Sequence, residues 1–142
     1  MPNKPQPFEA TVDISDLLED LYGRDDLNFE IILSGKTKTV DLPHNRTLDL
    51  SPGLTVSFLN LDTGETSGPF NITGPRKTTF HEDGSTDVVV TGHNLNADPF
   101  ILGGSGGLVF TTGRFTFSFD SNGNLSQSLS GNGLVVDFLD VL

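Results

Sequence analysis

The sequence predicts an all-β fold: an antiparallel meander barrel or sandwich of about ten short strands, with one short N-terminal helix. Three observations predict it. Apolar and polar residues alternate in one segment after another. Bends ending in glycine recur at Asp62-Thr63-Gly64, Glu82-Asp83-Gly84 and Ser121-Asn122-Gly123. Only one stretch spaces its apolar residues for a helix. The 142 residues suffice for one domain, expected over 8–142 behind a Pro-rich linker at 1–7.

The elements follow in order. Phe8, Ala10, Val12 and Ile14 alternate with Glu9, Thr11 and Asp13, the period of a strand with one wet face. In Ser15–Gly23, residues Leu17, Leu18, Leu21 and Tyr22 share one helical face. Ser15 is placed to cap this helix and Gly23 to end it. Strands are expected at 27–34 and 37–42, flanking a bend at Ser34-Gly35-Lys36. Others are expected at 47–50 and 54–61, around Ser51-Pro52-Gly53. A weaker one at 70–73 precedes strands at 76–81, 86–91, 108–119, 124–130 and 133–139.

Two hairpins can be given a register. A three-residue loop with Gly123 left-handed sets Phe119 opposite Leu125 and Phe115 opposite Leu129, apolar against apolar. The same geometry at Gly84 sets Phe80 opposite Thr86 and Thr78 opposite Val88. The Phe115, Phe117 and Phe119 stripe then faces the core. Residues 92–107 read as a long connection. They carry Phe100, Ile101 and Leu102 and end in the run Gly103-Gly104-Ser105-Gly106-Gly107, a pattern expected of a packed surface loop, with a contact loop or lid as the alternative.

Composition narrows the partners. Eight Lys and Arg against nineteen Asp and Glu leave a net charge of −11. Such a surface repels phosphates, so no nucleic acid is expected; the charge reads first as solubility, with cation binding or a basic partner as the alternatives. There is no Cys, which removes thiol chemistry, disulfides and Cys-ligated zinc. No apolar run is long enough to span a bilayer, so a soluble protein is expected. The first seven residues lack the apolar centre of a signal peptide.

The tests for chemistry return no catalytic residue, no cofactor and no metal site. Of His44, His81 and His93, the last two fall about 26 Å apart along the proposed hairpin, too far to share an ion. The glycine run at 103–107 matches a nucleophile elbow only in letters, because no helix follows. Asp120-Ser121-Asn122-Gly123-Asn124 has its glycine too early for a calcium loop. Asp137 alternates with Val136 and Phe138 and faces water or, if buried, pairs with Arg114. With no Trp and one Tyr, an aromatic sugar platform is disfavoured.

From about residue 90 onward, Gly92-His93-Asn94-Leu95, Asp98-Pro99, Thr112-Gly113-Arg114 with the alternating Phe that follow, Asp137 and Leu142 form a pattern. It resembles bacterial, often actinobacterial, exported all-β proteins of unknown function, in which Cys often stands where this chain has Phe138. The resemblance implies an extracytoplasmic or secreted β-domain and no activity. Two readings follow. The first is a non-catalytic domain acting through surface contacts with a protein partner or, as a homo-oligomer, through its sheet edges. The alternative is a small calycin-like or allene-oxide-cyclase-like barrel that binds an apolar small molecule and isomerises or cyclises it by shaping it. Its candidate ligand-binding residues are His93, Leu95, Phe100, Leu102, Phe115 and Phe117. The balance lies against an enzyme.

Overall fold

A computed structural model describes residues 4–98 and 107–140. The all-β expectation holds. Strand β1 (Gln6–Asp13) leads into helix α1 (Ser15–Tyr22). Then follow β2 (Phe29–Leu42), β3 (Arg46–Leu50), β4 (Thr55–Asn60), β5 (Thr66–Asn71), β6 (Arg76–Phe80), β7 (Thr86–Val90), β8 (His93–Asp98), β9 (Gly107–Phe119) and β10 (Leu125–Asp137). A 3₁₀ turn at Phe138–Asp140 closes the described chain. All ladders are antiparallel, and the sheet runs β10-β9-β7-β6-β3-β2-β4-β5, with β1 added on β2 and β8 on β9. No ladder joins β5 to β10 among the described residues, so the sheet is open.

The sheet folds over because β2 and β9 each serve two layers. The first half of β2 pairs with β1 and β4; its second half, from Lys38, pairs with β3. The expected bend at Ser34-Gly35-Lys36 does not occur. A Cβ on Gly35 would run into the backbone of Leu54, so this glycine answers a close approach between strands and not a turn. β9 likewise pairs with β8 over Gly107–Thr112 and with β7 over Phe115–Phe119. The break expected near residues 131–132 is also absent, and β10 is one strand. Gly131 and Gly133 pass so near the carbonyls of Arg114 and Thr112 that neither has room for a Cβ.

The registers test the hairpin reading directly. Phe119 faces Leu125, Phe80 faces Thr86 and Thr78 faces Val88. Phe115, however, faces Gly131 and not Leu129. Register shifts between Leu125 and Gln127 and between Gln127 and Ser130 insert extra residues into β10, the signature of bulges. β8 corrects the reading of 92–107 as a connection, since His93–Asp98 is a strand. Phe100, Ile101, Leu102 and the glycines from 103 to 106 lie outside the described residues. β1 starts at Gln6, which already pairs with Thr37.

Two cores result. The first joins Ile14, Leu18, Leu21, Leu27, Phe29, Val56, Phe58, Leu108 and Phe138, so α1 and the 3₁₀ turn plug the space between β2, β4 and β9. Its rings touch: Phe58 lies 4.6 Å from Phe138 and 5.9 Å from Phe110, and Phe70 lies 5.0 Å from Phe110. Edge and tilted contacts of this kind add to the burial of each ring. The second core is Val88, Val90, Phe115 and Phe117, with Phe119, Leu125 and Leu129 against it. α1 ends as expected, with Gly23 left-handed and its N–H on the Glu19 carbonyl at 2.8 Å. Its start differs: the capping position is Ile14, not Ser15. Ser15 Oγ instead accepts the Phe29 N–H at 3.2 Å, tying the helix to β2.

Candidate functional site

Four features could bear function, and each is built by a different part of the sheet. The first is the outer edge of β10. Among the described residues β10 pairs only with β9, and from Gly131 to Val136 its outer side joins no other ladder there. From Leu125 to Val136 this strand has no charged residue and no proline. Leu134, Val135 and Val136 are 68, 41 and 37% exposed; consecutive residues point to opposite faces, so the strand presents apolar surface on both. Two other edges, β1 and β5, are guarded differently. β1 carries Pro7, Glu9 and Asp13, and β5 carries Pro69, the devices by which edge strands avoid further pairing.

The second feature is an open cleft of about 250 Å³ lined by Asp49, Ser51, Leu54, Ile72, Gly74, Arg76, Asn94 and Leu95. Half-buried Arg76 stands directly opposite Asp49 in the β3–β6 ladder. The two do not form an ion pair: among the described residues the salt bridges are Arg24–Asp26 and His81–Asp87. Asp49 Oδ1 instead accepts from Thr39 Oγ1 at 2.7 Å. Arg76 reaches over the Phe117 ring, 5.7 Å from its centroid, and Nη2 donates to Asn96 Oδ1 at 3.2 Å. Burial lowers the guanidinium's pKa, and the charge of Asp49 opposes that fall. Two buried asparagines back the cleft. Asn94 Nδ2 donates to the Thr91 carbonyl at 2.8 Å, and Asn96 Nδ2 to Thr111 Oγ1 at 3.1 Å.

The third is a shallow apolar cleft of about 300 Å³ formed by Phe70, Asn71, His93, Phe110 and Val136. His93 is exposed here, with Nδ1 3.1 Å from Thr112 Oγ1. The fourth is a buried polar tie. The Tyr22 hydroxyl donates to Asp137 Oδ1 at 2.7 Å and accepts the Leu108 N–H at 2.9 Å. Burial, then the Asp137 carboxylate, pushes this phenol well above the usual tyrosine range. Asp137 thus pairs with Tyr22, not with Arg114.

Among the described residues, the candidate ligand-binding residues fall on different features. His93 lines the apolar cleft and Leu95 lines the Arg76 cleft, while Phe115 and Phe117 are buried in the second core. Phe100 and Leu102 lie outside the described residues. The histidines are likewise occupied separately: His81 Nε2 sits 2.7 Å from Asp87 Oδ2, far along the chain from the His93–Thr112 contact. Among the described residues no three His, Cys, Asp or Glu side chains gather where they could hold a metal, and no helix is long and apolar enough to cross a membrane. Reasoning from sequence missed Arg76, whose signal was the basic pair Arg76-Lys77 opening a strand after Pro75 in a chain with few basic residues. It also missed Asn94 and Asn96, buried polar residues on a strand taken for a loop.

No family model matches the chain, and neither a curated protein nor a solved structure does.

Proposed function

We propose that this is a non-catalytic binding domain that works through surface contact, by adding an extended segment of a partner polypeptide to the outer edge of β10 at residues 131–136. The observation that carries the reading is the uncharged, proline-free edge at 131–136 with Leu134, Val135 and Val136 exposed. An edge of that kind supplies backbone donors and acceptors in a row and alternating apolar contacts on each side. A chain at −11 favours a segment flanked by Lys or Arg. The filled interior weighs in the same direction. Rings of Phe58, Phe70, Phe110 and Phe138 occupy the space that an apolar ligand would need in a barrel. The resemblance to exported β-proteins supports an extracytoplasmic setting.

The test uses a synthetic strand-forming peptide of alternating valine and threonine with lysine at each end. Amide NMR is expected to show shifts concentrated on β10, and Val135→Lys, which adds a charge at the edge, is expected to abolish them. Sedimentation of the domain alone separates the rival occupant: a concentration-dependent dimer broken by Val135→Lys would mean that a second copy takes the edge. No β10 shift with the peptide, in a domain that stays monomeric, overturns the reading.

A further inference from the structure

We infer that the cleft between β3, β6 and β8 is a binding site for a small organic monocarboxylate with an apolar body, held by Arg76. Directly opposed, oppositely charged residues in an antiparallel ladder usually interact. Asp49 and Arg76 hold such positions, yet Asp49 is engaged by Thr39 and Arg76 has turned across Phe117 towards Asn96. A guanidinium offers five N–H donors. Among the described residues only the bond to Asn96 engages this one. Arg76 therefore lines the cleft with a charge that is half out of water, acted on by Asp49 only through space, and with most of its N–H donors unengaged among the described residues. A planar carboxylate fits a guanidinium fork with two parallel bonds, and low local polarity strengthens them.

The rest of the lining sets the ligand's character. Leu54, Ile72 and Leu95 give the apolar wall. Gly74 is the point where the chain passes against the backbone at Thr91 and His93, with no room for a Cβ, which holds this wall of the cleft against β8. The volume of about 250 Å³ lies below the roughly 300–1,000 Å³ of sites for drug-sized molecules, so the ligand is small. Asp49 places one negative charge beside the site. It disfavours dianions such as phosphate and leaves a single carboxylate as the best match for Arg76.

Phenylacetate, phenylacetamide and inorganic phosphate are the probes, titrated into the whole chain and followed by the backbone amides of Gly74, Arg76, Asn94 and Leu95. Phenylacetate is expected to shift these amides, and the amide analogue to bind about ten- to a hundredfold more weakly, the loss of a charged hydrogen-bond partner. Phosphate is expected to leave them in place. Arg76→Met should weaken phenylacetate by the same factor. Asp49→Asn, which keeps an acceptor for Thr39 and removes the competing charge, should tighten it, and this variant decides the matter if Arg76→Met does not fold. Equal shifts from phenylacetate and its amide, no shift from either, or an Asp49→Asn variant with unchanged affinity each overturn the proposal. Val135 lies across β9 from Asn94 but does not line the cleft, so Val135→Lys should leave the affinity for phenylacetate as it is, and this site and the β10 reading fail separately.

Discussion

At the scale of single residues, the Tyr22 hydroxyl carries the most structure. It joins α1, the start of β9 and the end of β10 through Leu108 and Asp137. Tyr22→Phe would leave the Asp137 carboxylate with the Leu139 N–H at 2.9 Å and would leave the Leu108 N–H without its acceptor. A loss of roughly 1–3 kcal/mol is expected by urea denaturation, the cost of stranding a buried polar partner. The pH dependence has a definite sign. The phenol's pKa is raised in the folded chain, so the stability it contributes is complete below its unfolded value near pH 10 and drains away as the pH climbs past it. Wild type should therefore weaken above about pH 10 by more than Tyr22→Phe does, as thermal melts at stepped pH would show.

At the scale of elements, the strands were readable and the glycines were not. Period two gave β4, β7 and β9 nearly to the residue, because one face of each meets a core, while β1 was placed within two residues although Phe8 and Val12 lie exposed. It also fixed Phe119 on Leu125. Gly35 and the glycines of β10 were read as punctuation, whereas they stand where two backbones touch. Nothing local distinguishes a glycine that turns from one that makes room, since the second need arises from a strand distant in sequence. β8 escaped for the opposite reason: Asn94 and Asn96 face inward and Thr111 receives one of them, so the apolar alternation is missing where the strand is most buried. The Arg76 cleft was illegible in the same way, as Asp49, Ile72 and Leu95 meet only once the sheet folds over. The reading of Gly35 has a direct test. Gly35→Ala should cost about 1–3 kcal/mol from overpacking, while Gly53→Ala, whose Cβ would meet nothing, would bear only the strain of its left-handed backbone. Chemical denaturation of the pair compares the two causes.

At the scale of the whole molecule, charge and anchoring pull against each other. Four aspartates are held below the usual carboxylate range. Asp13 and Asp83 are lowered by Ser15 and Ser85, Asp26 by Arg24, and Asp87 by Ser118 and then His81. Their stabilisation is present above the unfolded value and lost as the pH falls below about 4. The surplus of negative charge acts the other way, because repulsion across a chain at −11 eases as the remaining carboxylates take up protons. Stability should thus peak in mild acid. Added salt should raise the melting temperature at pH 7 and leave it nearly unchanged at the peak, which calorimetry across pH and sodium chloride would check. The doubled duty of β2 and β9 has one more outcome. A strand that threads both layers denies either layer a private route to melting, because freeing one half of β2 drags the register of the other. The two hydrophobic centres are therefore bound into one cooperative unit, and amides around Phe58 and around Val90 should exchange with deuterium through the same global opening.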